Sequence, residues 1–264
     1  MNRKILKIGQ STIIGMVHCL PLPGSAGFDG DYQKIVNHAV TDAKILEQAG
    51  VDAVMVENMG DAPFTALLNT AQIASLSAVA MAVKESISIP MGIDAAFNDC
   101  KASLAIAGIV GADFVRIPVF VDTVLFSDGM ISPCANECMT YRRDLGLAHV
   151  QVLADVQVKH AHMLLPHIDI EQSAKEAAEN GADGIIVTGS AIGDETPIEM
   201  IKRVKKIVNL PVLAGSGVNT LNVREQMEIA DGAIIGTGFK VNGILTNPIS
   251  HSLVEKLMKE LKGD

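Results

Sequence analysis

Apolar runs rich in β-branched residues alternate along the chain with Ala-rich segments whose apolar positions recur at helical spacing. The pattern predicts eight strands, near residues 13–18, 53–57, 90–95, 114–117, 150–158, 184–188, 211–214 and 232–235. It predicts eight helices, near residues 32–48, 64–84, 99–110, 133–144, 170–180, 198–208, 221–229 and 250–261. Eight such units in 264 residues are typical of a single (β/α)8 barrel, or TIM barrel, whereas a doubly wound sheet more often has fewer strands. We expect one domain, residues 1–264.

A short motif recurs where four of the predicted helices lead into strands. It combines a small residue with an Asp, and its copies begin at Gly50, Gly111, Gly181 and Ala230. Gly can adopt the left-handed conformation that ends a helix, and Asp can bond to the backbone of a tight turn. Acids at the amino-terminal ends of barrel strands are typical of structural roles. We interpret four acids in this way: Asp52, Asp113, Asp183 and Asp231.

Polar residues also stand at the carboxyl ends of the predicted strands, where barrel enzymes place their chemistry. They are His18, Glu57, Asp94, Arg116, Asp155, Lys159 and Thr188. Alternation along the fifth strand predicts that Asp155, Gln157 and Lys159 face the barrel interior, while Val156 and Val158 face the helices. We favour a catalytic Asp155–Lys159 pair over a structural ion pair, with His18, Glu57, Arg116 and His160 as further catalytic candidates and Asp94 and Thr188 as substrate-binding ones.

Two glycine-containing loops follow the last two predicted strands: Gly215-Ser216-Gly217 and Gly236-Thr237. Phosphate groups commonly rest on backbone N–H groups of these loops in barrels, so we predict a phosphate site there, with Lys240 adding charge. The alternative is that the glycines only make tight turns. This interpretation requires no cofactor. A divalent cation beside the phosphate is an open alternative, with Asp94, Asp155 and Glu57 as its candidate ligands.

Composition and charge narrow the class of protein. The chain is 48% hydrophobic with a net charge of −9 and no concentration of Lys and Arg, so we expect no nucleic-acid partner. It shows no signal peptide or membrane span, and its four cysteines are expected to be free thiols, so we expect a cytoplasmic protein that is not integral to a membrane. The predicted helix at 64–84 is apolar on more than one face, which indicates a homo-oligomer.

Several short segments together resemble the BtpA family. They are 15–18 (GMVH), 20–24 (LPLPG), 56–58 (VEN), 154–156 (ADV), 158–160 (VKH) and 215–217 (GSG), and the resemblance extends over nearly the whole chain. It implies a barrel of the ribulose-phosphate-binding type. Two positions depart from the family pattern: Asp94 stands where the family usually has Asn, and Pro118 stands where an Asn is usual.

Two functional hypotheses follow from the residues and the resemblance. The first is an enzyme, an isomerase, lyase or phosphate-ester hydrolase, that acts on a small phosphorylated metabolite such as a sugar phosphate or nucleotide. The second, implied by the cyanobacterial branch of the family, is a non-catalytic assembly or stability factor in photosystem I biogenesis.

Overall fold

The computed structural model describes residues 5–7, 9–159, 161–189 and 195–262, and it contains the predicted closed barrel. The strands are β1 (Thr12–His18), β2 (Ala53–Glu57), β3 (Met91–Asp94), β4 (Phe114–Ile117), β5 (Val124–Phe126), β6 (Gly129–Ile131), β7 (Gln151–Val156), β8 (His162–Met163), β9 (Gly184–Val187), β10 (Val212–Ala214) and β11 (Gly232–Ile235). The α-helices are α1 (Tyr32–Gln48), α2 (Thr70–Ser86), α3 (Cys100–Val110), α4 (Ala135–Asp144), α5 (Ile170–Glu179), α6 (Ile198–Lys205), α7 (Val223–Ile229) and α8 (His251–Lys262).

Eight of the strands pair in parallel to close the barrel in the order β1-β2-β3-β4-β7-β9-β10-β11. Alternation along each strand divides the apolar residues between two cores. In β1, for example, Ile13 and Val17 join the core between strands and helices, whereas Ile14 and Met16 join the core inside the barrel. The barrel interior is thus a packed core.

The four joint acids have the predicted structural role. Each carboxylate accepts a hydrogen bond from the backbone N–H at the start of the preceding barrel strand. The pairs are Asp52 with Ile13 (2.8 Å), Asp113 with Met91 (3.0 Å), Asp183 with Val152 (3.0 Å) and Asp231 with Val212 (2.9 Å). Each joint therefore ties two neighbouring strands together at the end of the barrel opposite the candidate site.

The structure differs from the prediction in the loops. The segment after β4, for which no strand or helix was predicted, contains β5 and β6. These two strands form a three-stranded antiparallel sheet with β8 that we call the cap sheet. Helix α2 begins at Thr70 and not near residue 64. The segment 59–69 instead contains a 3-10 turn (Met59–Asp61).

Two further predictions can be compared with the described residues. The four cysteines are free thiols, as predicted. Among the described residues, no helix is long and apolar enough to cross a membrane.

Candidate active site

The carboxyl ends of the barrel strands surround a cavity of about 260 Å³. Most of the residues predicted for the site line it, from strand ends that are far apart in the sequence. They are His18, Glu57, Asp94, Arg116 and Lys159, together with Gly215, Ser216, Gly217, Gly236 and Thr237. The predicted catalytic and phosphate-binding groups therefore face one common space.

Arg116 is the fixed positive charge of this cavity. Its Nε and Nη2 atoms each donate to a different carboxylate oxygen of Asp155 at 2.8 Å, in a bidentate pair that is fully buried on the Asp155 side. Burial alone would lower the pKa of Arg116, but the charge and hydrogen bonds of Asp155 raise it above its ordinary value. Asp155 does not line the cavity. It positions Arg116 and does not itself face a ligand.

Asp94 is a buried carboxyl group without a full set of partners. Its Oδ2 atom accepts from Arg116 Nη1 at 3.4 Å, and its Oδ1 atom has no hydrogen-bond partner among the described residues. Burial, followed by the nearby charge of Glu57, raises its pKa well above the ordinary value, and Arg116 offsets this only in part because Asp155 already engages it. Asp94 therefore keeps its proton to a higher pH than an ordinary carboxyl group does, and in its protonated form it is a hydrogen-bond donor at the cavity.

His18 and Glu57 form a second pair, on the neighbouring strands β1 and β2. The two residues are directly paired in the strand register, and His18 Nε2 lies 3.4 Å from Glu57 Oε2. Burial would raise the pKa of Glu57, but the hydrogen bond from His18 and the charges of His18, Arg116 and Lys159 outweigh it and lower the pKa. A carboxylate that orients an imidazole is a common arrangement for proton transfer.

Lys159 reaches the cavity by a route that simple alternation did not predict. Strand β7 ends at Val156, and Gln157 adopts a left-handed conformation (φ 49°), with its side chain turned to the carbonyl of Ile168. The prediction that Gln157 faces the interior and that Val158 faces the helices is therefore wrong. The left-handed conformation of Gln157 interrupts the alternation, and Val158 lines the cavity. Lys159 also lines the cavity, and its backbone N–H donates to Thr188 Oγ1 at 3.1 Å.

The glycines of the two loops are required for different structural reasons. A Cβ atom on Gly215 would lie 2.6 Å from Ile186 Cγ2, and the Gly215 N–H donates to the carbonyl of Val187, so this glycine is required by strand packing. Gly217 has a positive φ of 70°, which favours glycine. A Cβ atom on Gly236 would lie 2.9 Å from His18 Cε1, so this glycine makes room for the imidazole.

Besides Asp155, two predicted residues among those that the structure describes, Lys240 and Thr188, do not line the cavity. Lys240 is 1% exposed and forms an ion pair with Asp42 of α1 at 2.9 Å, on the outer side of the barrel wall, so we leave it out of the proposed phosphate site. Thr188 is not a lining residue and acts through the backbone of Lys159. His160 lies outside the described residues.

The described part of the chain contains no group of three His, Cys, Asp or Glu side chains arranged to hold a metal ion. Of the three carboxylates predicted to leave room for a cation, Asp155 uses both oxygens on Arg116 and Glu57 is engaged by His18.

Sequence reasoning missed the aromatic side chains of the site. Phe64, Phe97 and Phe126 line the same cavity, and the rings of Phe97 and Phe126 are stacked with centroids 4.0 Å apart. They lie in the segment before α2, after β3 and on β5, which are outside the regular barrel elements. The signal that could have found them is an apolar aromatic in a loop on the catalytic side of the barrel.

The model of the BtpA family matches residues 9–263. The chain belongs to the BtpA family. An uncharacterised protein of Pyrococcus furiosus is 41% identical over 248 residues, which cover 94% of this chain and 93% of the relative. The photosystem I biogenesis protein BtpA of Synechocystis is 33% identical over 261 residues, which cover 96% of this chain and 90% of the relative.

Solved structures with similar folds share little sequence with this BtpA-family chain. Tryptophan synthase of Mycobacterium tuberculosis superposes with a TM-score of 0.65 at 15% identity, covering 97% of this chain and 94% of that one. The (S)-3-O-geranylgeranylglyceryl phosphate synthase of Thermoplasma acidophilum, in complex with its substrate sn-glycerol-1-phosphate, gives 0.60 at 17% identity, with coverage of 97% and 94%. At these identities the likeness shows the TIM-barrel fold alone.

Proposed function

We propose that this BtpA-family protein binds a small phosphorylated metabolite at the carboxyl-terminal face of its barrel and catalyses a proton-transfer reaction on it, of the isomerase or lyase type. One observation carries the proposal. The glycine loops after β10 and β11 open into the same cavity, about 260 Å³ in volume, as the charged residues His18, Glu57 and Arg116. A phosphate held at the loops places the rest of a small ligand within reach of those side chains.

The phosphate is assigned to the loops Ser216–Gly217 and Gly236–Thr237. Small residues let the backbone approach an anion closely, and the loops after the last two strands are the common phosphate site of this fold. The T. acidophilum synthase, which shares the fold, was solved with a glycerol phosphate substrate, and this analogy supports the same assignment.

The charged residues are assigned roles in proton transfer. Glu57 engages His18 Nε2 and orients the imidazole that lines the cavity, and we assign to this imidazole the exchange of a proton with the ligand. An enolate formed by removal of a proton next to a carbonyl would be stabilised by the fixed charge of Arg116 and by Lys159. Asp94, in the protonated form that its raised pKa favours, is assigned a hydrogen bond to the same oxygen.

Thermal unfolding with inorganic phosphate and a panel of phosphorylated metabolites tests the binding half of the proposal. A ligand present at 100 times its dissociation constant adds about 2.7 kcal/mol of stability, which we expect to raise the Tm by about 5–10 °C. Thr237→Asp should abolish this increase through charge repulsion, whereas Thr237→Val, which keeps the backbone N–H, should preserve most of it. No increase with any phosphate in the unchanged protein would contradict the proposal.

Proton exchange in D₂O tests the catalytic half. NMR should show loss of the ligand proton next to the carbonyl, and His18→Gln should slow this loss by a factor of about 10²–10⁴ while the ligand still raises the Tm. If the ligand binds without exchanging a proton or being converted, the protein is a binding protein.

The alternative is an assembly or stability factor, as the name of the Synechocystis relative indicates for that protein. The outer face of the cap sheet favours a partner surface, because Leu125 and Met130, which pair across β5 and β6, are 44% and 62% exposed. Under this alternative, His18→Gln and Thr237→Asp would leave the cellular phenotype intact, and Leu125→Ser with Met130→Ser would abolish it.

A further inference from the structure

Three aromatic side chains form one wall of the cavity, which we call the aromatic wall: Phe64, Phe97 and Phe126. This wall indicates which kind of ligand the cavity binds. The chain has seven Phe, two Tyr and no Trp, so one third of its aromatic residues lie on this wall. The Phe97 and Phe126 rings are nearly parallel, with an interplanar angle of 10°. They form a flat apolar surface beside the charged strand ends.

The three rings reach this wall from separate parts of the chain. Phe126 lies on β5 of the cap sheet, where its neighbour Leu125 points outward and is 44% exposed. Phe97 follows β3, three residues after Asp94, and Phe64 lies in the segment before α2. All three pack in one cluster with Val158, which the reversed backbone at Gln157 directs to the same place. The cap sheet and the end of β7 thus both contribute apolar side chains to one wall.

The wall offers a ligand no side-chain hydrogen bond. A hydroxyl group placed against it would lose its water and gain no partner, which weakens binding. An apolar group placed there would gain affinity, about fourfold for each buried methylene. The wall therefore discriminates against a polyhydroxylated ligand body and favours an apolar or aromatic one.

The volume of the cavity indicates the size of the ligand body, by which we mean the ligand apart from its phosphate group. Its volume of about 260 Å³ is below the ~300–1,000 Å³ typical of pockets for drug-sized ligands. A phosphate group and a single ring or short chain fit this space.

We propose that the ligand is a small phosphate ester whose body is an aromatic ring or a short apolar chain that lies on the aromatic wall. The inference rests on the proposed phosphate site, and it selects among phosphorylated metabolites. Simple sugar phosphates, whose bodies carry hydroxyl groups on every carbon, are disfavoured by it.

Titration calorimetry with three probes tests this inference. Methylphosphonate and phenylphosphonate differ only in their apolar group, and sn-glycerol 3-phosphate supplies a hydroxylated body. We expect phenylphosphonate to bind at least tenfold more tightly than either of the others. Phe126→Ala should remove most of this difference and leave methylphosphonate binding unchanged.

Two further variants are controls. Leu125→Ala truncates the neighbouring side chain on the opposite face of the same strand, so it should leave all three affinities unchanged. Phe97→Leu replaces the second stacked ring with a smaller change, because it keeps an apolar side chain of similar bulk. This variant tests the aromatic wall if Phe126→Ala does not fold. It should lower the affinity for phenylphosphonate alone.

The outcomes separate the two proposals. If sn-glycerol 3-phosphate binds as tightly as phenylphosphonate, or if Phe126→Ala and Phe97→Leu change no affinity, the inference about the ligand body is overturned and the phosphate site remains. If none of the three probes binds to the unchanged protein, the phosphate site itself is overturned and the inference with it.

Discussion

At the scale of single residues, three acids at the carboxyl ends of barrel strands have different partners. Asp155 is ion-paired with Arg116 through both oxygens, and Glu57 is engaged by His18. Asp94 is left with one long contact to Arg116 and one oxygen without a partner among the described residues. The sequence places all three at strand ends, but only the side-chain geometry shows that Arg116 is balanced by Asp155 and that Asp94 is the acid whose pKa is raised.

The raised pKa of Asp94 predicts a pH dependence of stability. Above the pKa of the unfolded chain, about 3.9, the folded state keeps a proton that the unfolded state has lost. The free energy of unfolding therefore falls as the pH rises, by up to about 1.4 kcal/mol per pH unit, until Asp94 ionises in the folded protein. Asp94→Asn has no ionisable group at this position. Its free energy of unfolding should therefore rise relative to that of the unchanged protein as the pH rises from 4. Urea unfolding of both proteins from pH 4 to 8 measures this, and parallel curves would contradict it.

At the scale of elements, the regular parts of the barrel followed from the sequence because each has a strong local cause. The helix-to-strand motif predicted four joints, and the same Asp in each copy bonds to the neighbouring strand. The cap sheet did not follow, because strands of two or three residues are too short to show alternation. The end of β7 did not follow either, since Gln157 interrupts the alternation with a positive φ that is uncommon outside Gly and Asn.

Removal of the buried Asp in the joint before β11 should lower the stability of the fold and leave ligand binding unchanged. Asp231 is fully buried and accepts from the N–H groups of Gly9 and Val212 and from Lys205 Nζ at 2.6, 2.9 and 2.7 Å. Asp231→Ala leaves these donors without their acceptor, so we expect a loss of about 3–5 kcal/mol in the free energy of unfolding.

Chemical denaturation measures that loss, and titration with methylphosphonate should show an unchanged affinity, because the joint lies at the opposite end of the barrel. Asp144→Ala is the control: its ion pair with Arg143 is exposed, with side chains 55% and 74% exposed, and its loss should cost less than about 1 kcal/mol. Equal losses from the two variants would show that the joint does not carry the stability assigned to it.

At the scale of the whole molecule, a barrel is stable only when its first and last elements close on each other. Strands β1 and β11 pair from Thr12↔Gly232 to Gly15↔Ile235. Beside this seam, Lys240 after β11 pairs with Asp42 of α1, and both residues are 1% exposed. The sequence predicts Lys240 at the phosphate because this residue follows a glycine loop. That local view could not show that the next partner of the loop is a helix almost 200 residues earlier.

Removal of Lys240 should therefore destabilise the closure of the barrel. Lys240→Met leaves Asp42 as an uncompensated buried charge, with an expected cost of about 3–5 kcal/mol at pH 8. His38 Nε2 lies 3.5 Å from the same Asp42 oxygen. In the unchanged protein, burial lowers the pKa of His38, and the charge of Lys240 lowers it further against the attraction of Asp42. Without Lys240, the pKa of His38 should rise.

The sign of the pH effect follows from this rise. Because His38 in the folded variant binds a proton at a higher pH than it does in the folded unchanged protein, the variant recovers stability relative to the unchanged protein as the pH falls through this pKa. The destabilisation by Lys240→Met should therefore shrink as the pH falls from 8 to about 5.5, when protonated His38 replaces Lys240 as the partner of Asp42. Urea unfolding at several pH values measures this. Adding His38→Gln to Lys240→Met should abolish the recovery, and a recovery that persists in the double variant would show that another group takes over the charge.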